Sequence, residues 1–434
     1  MTLARAAAAL VGAVVSPWAL AAVQVEDVAP SPEGVQRLLV HDDLRSEPVR
    51  LLAIRGGEGA EDGDVLVSFI NADGIQRTLP ARELAAITHP DGEAWWPLAI
   101  VRRSTPGRPA EPQTLELTNG ERYVGKLSLI ESDPELVTLQ LERLGRLSVD
   151  LERVSGITLG MAPGASSVRT ETDDVVVYAN GDRGLGFVLS IGGEVRLELQ
   201  DSIRRTPIES VREVRLANPP ESPRGVLVWL DDGSVVLASG FGAPAPDRVS
   251  ITPARAPTDA TAIASESAPA DDESGYRLDQ MAAVLFAAET FAPLSSLAVE
   301  PARASVSVDP SGPLIGPSAL LFSSPIELPR PMRTRWVLPE GAERFAALAS
   351  MPPTSMQWGD LELVIGVESA TGAERELDRV TLNVDRPSAE IRVALPPDAD
   401  ALIVHVEAGA YGSVQDRVRL DRAFVTIDAR EIDG

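Results

Sequence analysis

The chain of 434 residues contains no cysteine, which excludes disulfides and attachment of lipid through a thiol. Among 39 basic residues Lys126 is the sole lysine, so Schiff-base chemistry and the lysine of a phosphate-binding loop are removed. Aromatic residues make up only 4%, and His41, His89 and His405 are the only histidines. They are far apart and in no metal-ligand spacing, whereas zinc sites draw on closely paired ligands. Gly-x-Ser-x-Gly, His-Glu-x-x-His, phosphate-loop and dinucleotide-glycine patterns are all missing. Cationic surface is scarce too. The net charge of −25 repels nucleic acid and anionic lipid, so neither is expected as a partner.

What is present is globular in composition, at 44% hydrophobic and 24% charged residues. The length calls for several domains. Residues 1–22 read as an export signal: Arg5, an apolar run from Ala6 to Val15, then Ala19-Leu20-Ala21 at a cleavage position after Ala21 or Ala22. That run is too short to span a bilayer, and no later apolar run is long enough. The expected location is therefore periplasmic or extracellular, without membrane insertion.

One phrase recurs four times. "VDLERVSGITL" (Val149–Leu159) spaces Leu151, Val154 and Ile157 three residues apart, with charges between them. The same rhythm occurs in "LPARELAAITH" from Leu79, "TPIESVREVRL" from Thr206 and "YRLDQMAAVLF" from Tyr276. Counted at Ala81, Leu151, Ile208 and Leu278, the phrases recur at 70, 57 and 70 residues. That is too long for a solenoid repeat and suits a bead that folds on itself. Spacing of three fits a 3-10 turn, in which residues i and i+3 eclipse. The last members (Ile87, Ile157, Val214, Val284) are expected to begin a closing strand.

Upstream of three phrases lies a hairpin signal: Asn119-Gly120, Asn180-Gly181 and Asp232-Gly233, each between alternating apolar runs. The first segment, "LVHDDLRSEPVRLLAI", lacks such a pair and departs from the pattern. Short strands with one tight helical turn before the last predict small five-stranded barrels. The pattern, over about residues 30 to 290, resembles the Sm-like family of small barrels. The RNA binding of that family is not carried over, because the loops lack a basic and aromatic platform for stacked bases. Residues 252–275, rich in Ala, Pro, Ser, Asp and Thr, read as a disordered insert.

Beyond Phe291 the hairpin rhythm stops. Six alternating runs, beginning at Arg335, Leu361, Arg379, Glu390, Ala401 and Ala423, predict an antiparallel sandwich of two sheets. "VEAGAYGSVQDRVRLDRAFV" (Val406–Val425) resembles the closing motif of the NPCBM family of carbohydrate-binding modules. "WVLPEGAERFAALASM" (Trp336–Met351) is similar to that family's early strand, turn and following strand. The likeness covers Leu321 to Ile427. It implies a jelly-roll or galactose-binding-like sandwich and carbohydrate as ligand. Asp416 and Val418 match the motif. Glu407 stands where Asp is usual, Arg417 for His, Arg419 for Asp and Leu420 for Trp. Leucine at the last position is tolerable if the indole packs the core, and bears on binding if the indole supports sugar contact.

Tyr411, between Glu407 and Asp416, offers a ring face to a sugar, and the two carboxylates offer acceptors. Equally, the carboxylates fit a structural role, ordering the loop "GAYGSVQ" by accepting backbone N–H bonds. Calcium would also suit such acceptors, though no cofactor is expected. Trp358, in the turn-like "PPTSMQWGD", is a surface candidate, while Trp336 reads as core. Trp95 and Trp96 either stack on a ligand or cover a seam between neighbouring units.

The expected organisation is all-β: signal peptide 1–22, a degenerate barrel 23–100, barrels 101–165, 166–219 and 220–290, a linker 291–320 and the sandwich 321–434. The function expected is an exported, acidic, non-catalytic binding protein for glycan or glycoprotein, with the barrels as spacer. An extracytoplasmic protein–protein scaffold is the alternative, and a hydrolase with a nonstandard acidic pair is a third reading. The candidate binding residues are Glu407, Tyr411, Asp416 and Trp358, with no catalytic or metal residues.

Overall fold

The computed structural model describes residues 34–56, 65–90, 113–127, 135–141, 145–159, 172–200, 202–245, 247–254, 276–301, 312–315, 320–329, 331–356, 359–409, 412 and 416–428. Residues 1–22, expected as an export signal, Trp95, Trp96, residues 255–275 of the expected disordered insert, Trp358 and Tyr411 lie outside them. Among the described residues there are strands and 3-10 turns and no α-helix, as the all-β reading expects. No helix of the described residues is long and apolar enough to cross a membrane.

The first twenty strands repeat one pairing pattern four times. In the first repeat β1 (Val35–His41), β2 (Ser46–Arg55), β3 (Leu66–Ile70) and β4 (Gln76–Pro80) form an antiparallel meander. A 3-10 turn, Ala81–Glu83, then leads into β5 (Leu84–Thr88), which returns to pair with β1. The second repeat has β6 (Gln113–Leu117), β7 (Arg122–Leu127), β8 (Leu136–Leu141), β9 (Gly145–Asp150), the turn Leu151–Arg153 and β10 (Val154–Thr158). The third has β11 (Asp174–Tyr178), β12 (Arg183–Ile191), β13 (Glu194–Leu199), β14 (Ser202–Pro207), the turn Ile208–Ser210 and β15 (Val211–Arg215). The fourth has β16 (Val226–Leu230), β17 (Val235–Ala245), β18 (Arg248–Pro253), β19 (Tyr276–Arg277), the turn Leu278–Gln280 and β20 (Met281–Leu285). In each, the fifth strand pairs with the first.

The repeated phrase is this turn and the strand after it. The first residue of each turn donates its N–H to the carbonyl just ahead of the third strand: Ala81 to Val65, Leu151 to Glu135, Ile208 to Gly193 and Leu278 to Asp247, at 2.7–3.1 Å. The last residue accepts from the first hairpin turn: Glu83 from Asp42, Arg153 from Thr118, Ser210 from Ala179 and Gln280 from Asp231, at 2.8–3.1 Å. Leu84, Val154, Val211 and Met281 are buried, as are Ile87, Ile157, Val214 and Val284. The closing strand starts three residues earlier than the spacing suggests, at the middle apolar member rather than the last. A single 3-10 turn occupies only three residues, and the chain is extended immediately afterwards.

The first repeat does form its hairpin. His41 N–H donates to Arg45 O and Leu44 N–H to His41 O, while the Asp43 carboxylate accepts from Arg45 N–H. The second repeat makes the same bonds from Leu117, Gly120 and Glu121, with Asn119 as acceptor. Leu44 therefore holds, at φ 63°, the left-handed position that Gly120, Gly181 and Gly233 fill elsewhere. A β-carbon there costs roughly 1–2 kcal/mol. Its buried side chain joins Val40, Ala346 and Phe424 in a cluster between the repeats and the C-terminal part.

Repeats pair with one another through their fifth strands. Ile157 in β10 faces Val214 in β15, and Ile87 in β5 faces Val284 in β20. The second repeat thus joins the third, and the first joins the fourth. Arg37 reinforces the outer pair: it is buried and donates to the carbonyls of Leu278 (2.9 Å) and Met281 (2.7 Å), and burial lowers its pKa to about 10.

The C-terminal part adds β21 (Phe291–Pro293), β22 (Val299–Pro301), β23 (Leu314–Ile315), β24 (Ile326–Leu328), β25 (Met332–Val337), β26 (Ala342–Ser350), β27 (Leu361–Ser369), β28 (Glu374–Leu382), β29 (Ser388–Ala394), β30 (Ala399–Ala408) and β31 (Val418–Ile427). One sheet runs β22-β25-β30-β27-β28 and the other β23-β24-β31-β26-β29, with β21 also on β31. All six alternating runs lie in strands of this sandwich. Residues 291–320, expected as a linker, supply three short strands to it, because Phe291 and Leu294 are buried against it. Trp336, Phe345, Leu363, Val404 and Leu420 lie in the core between the sheets. Leu420 is fully buried and serves packing.

Candidate functional site

Strand alternation decides what Glu407 can do. Val404 and Val406 point into the core, so His405 and Glu407 face outward from β30. There Glu407 accepts from Arg379 Nη1 at 2.8 Å, and its other oxygen lies 3.4 Å from His405 Nδ1. Arg379 also donates to Glu362 (2.5 Å) and Glu376 (2.8 Å). On the same outer face Arg335 reaches Glu300, Glu368 and Asp400, and Arg333 pairs with Glu374. Burial and the nearby Arg333 and Arg379 charges hold the His405 pKa below its ordinary value, outweighing Glu407 and Glu374. Glu407 is thus one member of an ion-pair lattice covering a sheet face.

Asp416 has a different setting. It is 2% exposed, and both carboxylate oxygens are buried without a hydrogen-bond partner among the described residues. Burial pushes its carboxyl above the usual range, and the Asp360 charge raises it further. Gly409 abuts Asp360 so closely that a β-carbon would lie 1.8 Å from its carbonyl oxygen. Glycine is therefore required there. Glu407 and Asp416 share no partner, and the structure does not converge them on one point. Tyr411 and Trp358 lie outside the described residues.

A more convergent arrangement lies at the other end of the sandwich. The β25–β26 turn, the β29–β30 loop and the residue after β31 surround an open cleft of about 800 Å³. Gly341 takes φ 73° in the turn, which closes with Ala342 N–H on Pro339 O. The loop is fixed by Leu395 N–H on Glu343 O and Ala399 N–H on Pro396 O, and Asp428 N–H donates to Gly341 O. Glu340, Glu343, Asp398, Asp400 and Asp428 line the cleft, and Arg344 is the one cationic residue among its described lining. Asp400 is held in place by Arg335 Nη2 at 2.8 Å. The size falls within the range of small-ligand sites. Five carboxylates present hydrogen-bond acceptors, the complement of hydroxyl and amine donors. No group of three or more metal-ligating side chains occurs among the described residues.

Sequence reasoning missed this cleft. Its carboxylates come from three separate loops, at 340–343, 398–400 and 428, and in a chain with 64 acidic residues none stands out by spacing. Glycine in "PEGAE" was the one local signal of a shaped turn.

No protein-family model matches the chain, and no curated protein sequence does. Among solved structures, it is similar to the CBM51-2 and INT domains of Clostridium perfringens ZmpB, at 14% identity and a TM-score of 0.23, over 32% of this chain. The match spans 31% of the ZmpB chain, about a third of its length. It is also similar to CBM51 from Clostridium perfringens GH95 in complex with methyl-galactose, at 12% identity and TM-score 0.23, covering 32% of this chain and 100% of that one. The CBM22-1 xylan-binding domain from Paenibacillus barcinonensis Xyn10C shares 9% identity over 27% of this chain and 81% of that one, with TM-score 0.19. Likeness at these identities and scores carries no argument about what this chain binds.

Proposed function

We propose that the chain is an exported, non-catalytic binding protein that recognises carbohydrate at the open end of its C-terminal sandwich, with the four repeats as spacer. The observation that carries this reading is the cleft of about 800 Å³ lined by Glu340, Glu343, Asp398, Asp400 and Asp428. Carboxylates there accept hydrogen bonds from sugar hydroxyls, and Arg344 donates to ring or glycosidic oxygens. Pro339 and Pro397 supply apolar surface for the C–H faces of a sugar. The resemblance of Val406–Val425 to the NPCBM closing motif supports the same ligand class, and residues 1–22 support export.

Such contacts are individually weak, so affinity near the millimolar scale, about 4 kcal/mol, is expected. The experiment is a glycan screen with the full chain, followed by titration of the best ligand into the parent and into Asp398→Ala and Glu340→Ala. Loss of one charged acceptor removes roughly 1.5–3 kcal/mol and takes binding below detection. Folded variants that bind as well as the parent would sink the assignment of the cleft. A screen without any ligand would leave the scaffold reading, which draws on the exposure of Leu185 and Phe187.

A further inference from the structure

The four repeats share one strand edge, which the second and fourth pair with each other and the first turns toward the sandwich. The hairpin hydrogen bonds make Ser46, Arg122, Arg183 and Val235 equivalent, each opening the second strand of its repeat. Register agrees: these residues face Val40, Glu116, Val177 and Trp229 on the first strands. At this point only one side of the second strand is taken by the first strand, and the other side is a bare ladder edge.

The second and fourth repeats cover this edge by using it on each other. Arg122 pairs antiparallel with Val235, its own equivalent. The flanking bonds are reciprocal. Val124 N–H donates to Ser234 Oγ at 3.1 Å, and Leu237 N–H donates to Glu121 Oε1 at 3.0 Å. Val124 is the equivalent of Leu237, and Ser234 of Glu121. The contact is therefore a pseudo-two-fold in which one edge meets a copy of itself. The first repeat turns the same edge to the sandwich, where Ser46 Oγ donates to Glu390 at 2.9 Å and Leu44 is buried.

In the third repeat no described residue covers the edge, and in the first the equivalent of Leu185 is Pro48, which has no N–H to donate. Asn180, Gly181, Asp182 and Arg183 are exposed, whereas Asn119, Glu121, Ser234 and Val235 are buried. Leu185, equivalent to Val124 and Leu237, is 53% exposed. Phe187 is 63% exposed where the second and fourth repeats carry Lys126 and Ser239. Two strands over, in the same row through Glu198, Ile203 is 55% exposed. Leu185 is thus an exposed apolar side chain on the bare stretch of β12, and Phe187 and Ile203 extend it across the adjoining paired strands, a group that marks an interaction surface.

We propose that the β12 edge of the third repeat pairs with the same edge of a second copy of this chain, across a two-fold axis at Arg183. The occupant follows from self-complementarity. In the second repeat Glu121 Oε2 accepts from Asn119 Nδ2 while Oε1 serves the neighbouring repeat. Asp182 Oδ2 likewise accepts from Asn180 Nδ2 at 2.7 Å, so Oδ1 is placed for the Leu185 N–H of the second copy. Ser234 shows that a side chain as short as aspartate's bridges the gap. A two-fold contact satisfies each donor and acceptor twice and lays Leu185 of each copy opposite Gly181 of the other, with the two Arg183 residues facing at the axis. The heterologous pairing inside one chain becomes an isologous pairing between two.

The absence of cysteine gives this a direct test on the full chain. Opposite residues of antiparallel strands have Cα atoms about 4.5–5.5 Å apart, within disulfide reach. Arg183→Cys, oxidised in solution, is expected to convert to covalent dimer, while Ile75→Cys, at an exposed position on the first repeat, is not. Sedimentation velocity should show a concentration-dependent dimer for the parent and a monomer for Leu185→Asp, whose circular dichroism keeps the β signature of the parent. A parent that stays monomeric at every concentration, or Arg183→Cys cross-linking no faster than Ile75→Cys, overturns the proposal and leaves the edge to a protein of different sequence. These readouts do not involve the sandwich cleft, so they stand or fall apart from glycan binding.

Discussion

Ile157 and Val214 lie directly opposite each other on adjacent antiparallel strands, although they occupy the same place in two different repeats. The phrase that carries them therefore does two jobs: it closes a repeat onto its first strand and joins that repeat to another. Ile87 and Val284 repeat the relationship between the first and fourth repeats. Val154, three residues before Ile157 at the start of the same strand, is fully buried. Val154→Asp should cost about 3 kcal/mol or more in denaturant unfolding, whereas Arg153→Ala should cost under about 0.5 kcal/mol. Equal losses would mean that the three-residue spacing does not mark a core face.

Left-handed positions give a graded series. Gly181 sits at φ 89° with open space where a β-carbon would stand, so Gly181→Ala should cost only the backbone term, about 1 kcal/mol. Gly120→Ala should cost more, because the added carbon would lie 2.9 Å from the Phe322 ring. Leu44→Gly relieves the same strain yet should still destabilise, by about 2 kcal/mol, since a buried leucine leaves the junction with the sandwich. Thermal melts of the three variants check the order.

The Asp416 carboxyl titrates above its ordinary value because it is buried. A raised native pKa means the folded state holds the proton more tightly than the unfolded one. That contribution favours the fold below the unfolded value of about 3.9 and is lost as pH rises through the folded value. At neutral pH the charge is a cost. Asp416→Asn should therefore raise stability by on the order of 1 kcal/mol at pH 7, with the gain shrinking as the buffer approaches pH 4. A loss of stability at pH 7 would show that the carboxylate holds the loop in its ionised form.

The ion-pair lattice should be uneven in value. Arg335 joins three carboxylates with its side chain 13% exposed, while Arg379 joins three at 38%. Arg335→Ala should cost about 1 kcal/mol and leave Asp400 unanchored at the cleft; Arg379→Ala should cost less and lose its effect in high salt. Melting curves at two salt concentrations separate them.

The strands were legible because their apolar alternation and Asn-Gly turns are local signals. All six runs of the sandwich and the hairpins at Asn119, Asn180 and Asp232 follow that logic. The hairpin at Asp43-Leu44 was hidden, since leucine at positive φ is disfavoured locally and is offset only by packing against Ala346 and Phe424, some 300 residues away. The pairing of the second repeat with the third, and of the first with the fourth, is likewise long-range. The candidate site was less legible still. Glu407 and Asp416 are close in sequence, but strand alternation sends Glu407 to an outer face while Asp416, ahead of β31, is buried. The cleft draws on turns more than 80 residues apart, so no short window of sequence contains it.

Hydrogen–deuterium exchange of the full chain, with and without a saturating glycan from the screen, tests the central claim most directly. The account predicts protection of the backbone amides in 338–344 and 395–400, around the cleft, with the 405–409 segment and the four repeats unchanged. Protection confined to the Gly409–Asp416 end, or none at either end of the sandwich, would contradict it.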